Sequence, residues 1–200
     1  TRRSSDLLTK KSKDLSESYD RQRSELEAAK FTDKGSTHNY LTTYDYLFEK
    51  WIGKSIDILE IGVAHGGSLL LWEAAFPGSN IVGLDINLSN IRHAFGEKTK
   101  VIQVNAADTK DMEQKIADSR FDLVVEDGSH HLSHQVTAVK YFATKIKSGG
   151  MIVVEDVQSD DDMFALLAIG KIIANVIDCK VLDLRSTKGR YDDILVVYQF

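Results

Sequence analysis

The chain has 200 residues, of which 42% are hydrophobic and 28% are charged, the proportions of an ordinary globular domain. Its apolar runs are too short to span a bilayer, and its net charge of −5 leaves no basic stripe for nucleic acid, so neither a membrane nor a nucleic acid is expected as a partner. The single cysteine, Cys179, cannot form an internal disulfide, and no signal-peptide pattern is seen, so we expect a cytoplasmic protein.

Residues 1–30 are predicted to form a polar helical arm. They carry a net charge of +2, whereas the remaining residues carry −7. The stretch 4–30 lacks Gly and Pro and is rich in helix formers, but its apolar residues form only a broken heptad: Leu8, Leu15, Tyr19 and Leu26. This pattern is typical of a solvated helix, and the alternative is an arm through which the protein forms a homo-oligomer.

From residue 56 onwards, short apolar runs alternate with helical stretches. The predicted strands are 56–63, 80–85, 100–105, 121–127, 151–156, 176–185 and 193–200. The predicted helices are 68–76, 109–119, 132–147 and a further one that begins with Asp160 to Asp162, where acidic residues suit the helix dipole. The linker "STKGRYD", with Gly189, predicts a hairpin between the last two strands.

This order of elements predicts an α/β fold with one domain over residues 31–200, of which 31–50 are expected to form a lid. Strands that alternate with helices indicate a doubly wound, mostly parallel sheet, here of seven strands. A C-terminal antiparallel hairpin is the particular feature of the Rossmann-like class I methyltransferase sheet.

The turn after the first strand, "LEIGVAHGGS", predicts a nucleoside ligand. Its pattern, E-x-G-x-x-x-G-G, differs from the GxGxxG dinucleotide fingerprint and fits a looser loop around an amino-acid and nucleoside ligand. Asp85 ends the second strand, where a carboxylate can bind both ribose hydroxyls, and Asn105 or Asp108 follows the third strand within reach of an adenine amino group. S-adenosylmethionine is therefore predicted, with an NAD-dependent dehydrogenase as the alternative. The predicted cofactor-binding residues of this region are Glu60, Gly62, Val63, Gly66, Ser68, Asp85, Asn105 and Asp108.

Carboxylates stand at the ends of the fourth and fifth predicted strands. Asp127 follows one, and Glu155 with Asp156 follows the other, so neighbouring strands would bring all three into one crevice. Grouped carboxylates repel unless a cation neutralises them, and oxygen ligands favour a hard ion such as Mg²⁺. The alternative is that they cap the next helix or remain solvated. Glu126 alternates with Asp127 along the strand, so we expect it to face away and to be structural.

His130, in "DGSH", is the predicted general base, because an imidazole exchanges a proton near neutral pH. The neighbouring histidines serve as a contrast. His131 is expected to point elsewhere, and His134 to lie on the following helix as a packing or surface residue.

Three stretches resemble the metal-dependent macrolide sugar O-methyltransferases and the related cephalosporin-hydroxylase-like methyltransferases: "ILEIGVAHGGSLLLWEAAFPGSNIVGLDI", "DGSHHLSHQ" and "GGMIVVEDVQ". The segment "FTDKGSTHNYLTTYDYLF" (31–48) resembles the one that precedes that family's methyltransferase domain. The resemblance covers roughly residues 31–160. It departs from the family after the third strand, where G-D-Q-x-D is replaced by Val-Asn-Ala-Ala-Asp, 104–108.

The resemblance implies that Asp127, Glu155 and Asp156 bind Mg²⁺ and that His130 is the base. It also implies that Lys34, Gly35 and Ser36 lie over the cofactor side of the site, as part of the lid. The macrolide enzymes carry a large auxiliary domain before the methyltransferase domain, and this chain shows only a short arm there, so a macrolide substrate is not carried over.

The function predicted from these features is Mg²⁺-dependent methyl transfer from S-adenosylmethionine to a hydroxyl of a sugar-like or vicinal-diol small molecule. A non-catalytic cofactor-binding or assembly protein of the same fold is the alternative. Oxidative hydroxylation at an iron site built from Asp127 and the nearby histidines is a third hypothesis.

Overall fold

The apolar runs of the sequence form a seven-stranded sheet in the computed structural model, which describes residues 21–200. The strands are β1 (Asp57–Ile61), β2 (Asn80–Asp85), β3 (Thr99–Gln103), β4 (Phe121–Glu126), β5 (Ile146–Val154), β6 (Asp178–Asp183) and β7 (Ile194–Gln199). Their order in the sheet is β3-β2-β1-β4-β5-β7-β6. The first five strands are parallel, and β7 runs antiparallel to both β5 and β6. The predicted fold class is thus confirmed.

Helices connect the strands on both faces of the sheet. The α-helices are Asp33–Ser36, Leu41–Phe48, Gly67–Ala75, Thr109–Ile116, Leu132–Phe142, Asp160–Ile172 and Arg185–Lys188, and residues 21–28 are also helical. Helix Asp160–Ile172 begins as the sequence predicts, since the Ser159 hydroxyl accepts from the Asp162 N–H and three aspartates occupy its first turn. None of the described helices is long and apolar enough to cross a membrane.

The sheet separates two apolar layers because side chains alternate along each strand. On β4, Leu123 and Val125 pack into the layer that also contains Trp72 and Phe48, whereas Val124 packs into the layer with Phe142. After β1, the chain forms β2 on one side of β1, and it later adds β4 on the other side. The crevice beyond the carboxyl ends of β1 and β4 is therefore the topological switch point, where open α/β sheets bind ligands.

The start of β5 and the end of the helix before it differ from the sequence prediction, and the local backbone explains both differences. Strand β5 begins at Ile146 rather than at 151, and Gly149, with φ of +78°, lies inside it. Phe121 pairs with Ile146 and Leu123 with Met151, so β5 bulges at the Gly149–Gly150 pair instead of starting after it. The helix predicted for 132–147 ends at Phe142, which frees Lys145 and Ile146 for the sheet.

The segment before β1 packs against the sheet domain. The predicted arm lies outside the described residues up to residue 20, and its described part is helical over 21–28, with Ala28 and Ala29 buried in the core. Within the predicted lid, Tyr44 and Phe48 are buried, and Phe48 contacts both Trp72 and Phe76 with its ring. Aromatic contacts thus fix this segment over the helix Gly67–Ala75.

Replacement of Gly62 by Ala is expected to destabilise the domain strongly. Gly62 has φ of +90°, and a Cβ there would lie 1.9 Å from the Asp127 carbonyl oxygen. Gly53 provides a matched control, because it has φ of +72° with no atom within 4 Å of an added Cβ. Urea unfolding should show a loss of about 1 kcal/mol for Gly53→Ala, from backbone strain alone, and of about 3 kcal/mol or more for Gly62→Ala. Equal losses would contradict the close approach of β1 and β4.

Candidate active site

The ammonium group of Lys34 lies among three carboxylates at the carboxyl ends of β1, β4 and β5. Lys34 Nζ is 2.6 Å from Asp127 Oδ2, 2.5 Å from Glu155 Oε2 and 3.4 Å from Glu60 Oε1. Only 1% of the Lys34 surface is exposed. Burial alone would lower the pKa of Lys34, but the charges of its acidic partners raise it well above its usual value, so the lysine is a fixed internal cation.

Glu60 is the most enclosed member of this cluster. Its Oε2 accepts from Ser68 Oγ at 2.8 Å and from Trp72 Nε1 at 3.1 Å, whereas its Oε1 faces Lys34. Burial raises the pKa of Glu60 to about 7, against the opposing effect of Lys34. The predicted cofactor residues Glu60 and Ser68 therefore hold the helix Gly67–Ala75 to β1.

Two tyrosines of the predicted lid bind the carboxylates that follow β5. Tyr44 donates to Glu155 Oε1, and Tyr40 donates to Asp156 Oδ1 at 2.5 Å. Burial and the adjacent carboxylate raise the pKa of each phenol above its usual value, so both are donors over the accessible pH range. Both oxygens of Glu155 are consequently occupied, one by Lys34 and one by Tyr44.

Asp127, His130 and Asp156 form a second group on the open side of this cluster. They can each offer one ligand atom, and these atoms lie within 4.8 Å of one another. His130 Nδ1 is buried and has no hydrogen-bond partner among residues 21–200. Of the three predicted metal ligands, the structure groups Asp127 and Asp156 with His130, and it places the Glu155 carboxylate on Lys34 and Tyr44 instead.

A cavity of about 340 Å³ opens beside this group. Its walls include the turn after β1, the predicted base and the start of the lid segment; the lining residues are Phe31, Thr32, Asp33, Gly62, Val63, Ala64, His65, Gly67, Ser68, Asp85, Asp127, Gly128 and His130. A Cβ on Gly67 would lie 1.8 Å from the Phe31 carbonyl oxygen. Glycine is required at Gly67 because the lid backbone passes directly over the helix that begins there.

A second cavity, of about 240 Å³, lies on the other side of the β4 end. It shares Gly62, Asp85 and Gly128 with the first, so the two form adjoining lobes. The remaining lining residues are Ile61, Leu84, Ile86, Val104, Asn105, Ala106, Ala107, Glu126, Ser129 and His134. The exposed side chain of Ile86 and the buried Val104 give this lobe apolar walls.

Asp85, at the junction of the lobes, holds the glycine-rich turn. Its Oδ2 accepts from the Val63 and Ala64 N–H groups at 2.9 and 3.0 Å, and its Oδ1 accepts from the Asn87 N–H. Ala64 adopts φ of +47°, a conformation that non-glycine residues rarely occupy. The carboxylate thus shapes the loop that separates the two lobes.

The predicted cofactor residues divide into two sets. Five line the lobes: Gly62, Val63, Ser68, Asp85 and Asn105. Five do not: Lys34, Ser36, Glu60, Gly66 and Asp108. Asp108 accepts from the Lys110 N–H as the cap of helix Thr109–Ile116, and Ser36 donates to the Thr32 carbonyl, so neither side chain faces a lobe. Phe31, Thr32 and Asp33, the residues immediately before Lys34, line the first lobe.

The neighbours of His130 and Asp127 lie where strand alternation puts them. His131 is exposed and precedes helix Leu132–Phe142, and His134, on that helix, pairs through Nδ1 with Ser129 Oγ at 2.7 Å. Glu126 lies on the opposite side from Asp127, in the wall of the second lobe. Burial, followed by the charge of Asp127, raises the pKa of Glu126 to about 8.

One buried network was not anticipated from the sequence. His38 Nδ1 lies 2.6 Å from Asp193 Oδ1, and His38 Nε2 lies 3.5 Å from Asp156 Oδ2. Arg190 approaches Asp192 and Asp193 from the other side. The adjacent acids before β7 were a signal in the sequence, but their partner is 155 residues away along the chain.

Replacement of Lys34 by Met should destabilise the protein by about 3–5 kcal/mol, because it leaves buried carboxylates without their cation. The matched control is Lys147→Met: Lys147 also pairs with two acids, Asp57 and Asp122, but its side chain is 37% exposed, so a loss of about 1 kcal/mol or less is expected. Denaturant unfolding of both variants checks this. A small loss at Lys34 would show that the cluster does not depend on its charge.

Solved structures of other proteins share this fold. The methyltransferase MycE of the mycinamycin biosynthetic pathway, solved in complex with Mg, SAH and mycinamycin VI, superposes with a TM-score of 0.70 at 24% identity, over 88% of this chain and 54% of that one. A SAM-dependent methyltransferase from Archaeoglobus fulgidus superposes with a TM-score of 0.58 at 14% identity, over 84% of this chain and 97% of that one. These likenesses support the fold alone.

Sequence comparison identifies the domain. The mycinamicin VI 2''-O-methyltransferase of Micromonospora griseorubida is 34% identical over 66% of this chain and 35% of the relative. The demethylmacrocin O-methyltransferase of Streptomyces fradiae is 30% identical over 83% and 46%, so the chain spans about a third to a half of the length of these curated relatives. Residues 59–157 match a methyltransferase-domain family, and the chain is similar to the macrolide sugar O-methyltransferases, as its motifs predict.

Proposed function

We propose that this chain transfers a methyl group from S-adenosylmethionine to a hydroxyl of a sugar or another vicinal-diol small molecule. The observation that carries the proposal is the meeting of two ligand lobes with the Asp127–His130–Asp156 group at the switch point of the sheet. The named relatives, which methylate sugar hydroxyls, support the reaction class. The acceptors in the names of these relatives are not extended to this chain.

The two lobes suit the two parts of the methyl donor. The first lobe has the backbone of the glycine-rich turn and the start of helix Gly67–Ala75, whose free N–H groups favour a carboxylate such as that of the methionine part. The second lobe, with apolar walls at Ile86 and Val104, suits a flat base. Asp85 lies between them, where the ribose would lie. The proposed cofactor-binding residues are those that line the lobes, Gly62, Val63, Ser68, Asp85 and Asn105.

The groups beside the first lobe fit a divalent cation. Asp127 and Asp156 provide two carboxylates on the open side, and Mg²⁺ in proteins is commonly held by one or two carboxylates together with water or substrate. A bound cation would act as a Lewis acid that lowers the pKa of a substrate hydroxyl. Glu155 would contribute indirectly, because it fixes Lys34 and Tyr44 below the site.

His130 is the proposed general base. Its ring borders both the first lobe and the two carboxylates, and its Nδ1 has no hydrogen-bond partner among residues 21–200. A free imidazole nitrogen can take the proton of an attacking hydroxyl, a step that typically contributes about 10²–10⁴-fold.

The first test measures binding and turnover together. Calorimetry with S-adenosylhomocysteine should show binding to the wild type, whereas absence of binding would favour a non-catalytic assembly protein.

With radiolabelled S-adenosylmethionine, Mg²⁺ and methyl rhamnoside or catechol as acceptors, His130→Ala should lower kcat by about 10²–10⁴-fold and leave S-adenosylhomocysteine affinity nearly unchanged. His131→Ala is the matched control and should retain activity, since His131 is an exposed neighbour. Near-normal turnover of His130→Ala would remove it from the base role.

The second test concerns the cation. Titration of the wild type with Mn²⁺, followed by electron paramagnetic resonance, should show one bound ion, and Asp127→Asn or Asp156→Asn should weaken binding at least tenfold, since each removes a charged ligand. Asp161→Asn removes an equally charged but exposed aspartate and should have no effect. Activity that survives chelation, together with unaltered Mn²⁺ affinity in the first two variants, would show that the carboxylates are structural.

A further inference from the structure

We propose that Glu126 recognises the base of the methyl donor by accepting a hydrogen bond from the 6-amino group of adenine. This inference rests on the proposed function, because it assigns a residue within the second lobe to one part of that donor. Strand alternation alone predicts a structural role for Glu126, and the proposal gives this side chain a role in ligand binding.

The position of Glu126 carries the inference. Glu126 is the last residue of β4, and its side chain forms part of the wall of the second lobe, together with Asn105 and the turn after β3. Only 2% of its surface is exposed; the Gly128 N–H and the Gln135 side chain interact with the carboxylate, but its Oε2 has no hydrogen-bond partner among the described residues. A buried acceptor without a partner costs free energy, so its presence in a ligand cavity indicates that a ligand donor completes it.

Three other polar side chains of this wall, Asp85, Ser129 and His134, already have partners. Asp85 accepts from three backbone N–H groups, and Ser129 pairs with His134. Asn105 Oδ1 accepts from the Ala107 N–H, which leaves its amide nitrogen, a donor, to meet a ligand. An amide donor does not complement the amino group of adenine, whereas a carboxyl oxygen does, whether or not the carboxyl carries a proton.

The shape of the lobe is consistent with a purine. Ile86, 64% exposed, and Val104 provide apolar surface where the ring faces would pack. Asp85, which lines both lobes, marks the proposed position of the ribose. It ends β2, on one side of β1, whereas Glu126 ends β4, on the other side of β1. The polar edge of the base would then be enclosed by Glu126 on one side and Asn105 on the other.

The test is a cycle that changes the protein and the ligand independently. One ligand is S-adenosylhomocysteine, and the other is its analogue with purine as the base, in which hydrogen replaces the 6-amino group. The wild type should bind the purine analogue about five- to tenfold more weakly. In Glu126→Met, which keeps the length of the side chain but removes the acceptor, the two affinities should agree within about twofold. Glu126→Gln, which retains an acceptor oxygen, should recover part of the preference.

Asn105→Ala is the competing variant, because Asn105 lines the same lobe and was the alternative from the sequence. It should leave the preference for the amino group unchanged. Melting temperatures of all variants verify that they fold. The comparison of the two ligands on the wild type does not depend on the folding of any variant. Equal binding of both ligands by the wild type, or a preference abolished by Asn105→Ala and kept by Glu126→Met, overturns the inference but leaves the proposed function intact. Failure of the wild type to bind S-adenosylhomocysteine removes both.

Discussion

The buried Lys34 ammonium is the constraint on which the rest of the site depends. Three neighbouring parallel strands, β1, β4 and β5, have acidic residues within or next to their last residues, and a parallel sheet necessarily brings these ends to one edge. Without a cation, the carboxylates of Glu60, Asp127 and Glu155 would repel one another in a site with little solvent. Lys34 comes from the segment before the sheet, so the same ion-pair cluster also attaches that segment to the domain.

This constraint separates two groups of acids that look alike in the sequence. Glu60 and Glu155 face inward, where Glu155 binds Lys34 and Tyr44, and Glu60 accepts from Ser68 and Trp72 through one oxygen. Asp127 contacts Lys34 but is also part of the open group with His130 and Asp156. The positive φ values of His130 and Asp156, +58° and +51°, show that the backbone is bent to direct these two residues, a form of strain that clusters at functional sites. The inward cluster and the packing of Tyr40, Tyr44 and Phe48 supply the stability that offsets this strain.

Much of this arrangement could be predicted because it follows from short-range rules. Strand alternation separates Glu126 from Asp127, and the positions of Gly62 and Asp85 at strand ends place them at the ligand crevice. The partners of Lys34 could not be predicted, since Asp127 and Glu155 lie 93 and 121 residues away and a lysine beside Thr32 and Asp33 looks like a surface residue. For the same reason, the His38–Asp193 pair gave no local signal. The Asp108 carboxylate caps a helix, and because a helix cap and a ligand acceptor use the same residue type, the sequence alone does not separate the two roles.

The stretch "FDLVVEDGSHH" therefore serves both sides of the crevice. Because successive side chains of a strand point to opposite faces, two adjacent acids can face two different lobes without sharing a pocket. Gly128, which lines both lobes, permits this divergence: a Cβ there would lie 3.0 Å from Glu126 Oε1 and 3.2 Å from Ile61 Cγ2. A glycine after the two acids thus leaves Glu126 room in the wall of the second lobe while Asp127 remains with His130 beside the first. If Glu126 recognises the base as proposed, donor recognition and acceptor activation would lie on consecutive residues, and the backbone of a single strand would fix the distance between the base and the site of methyl transfer.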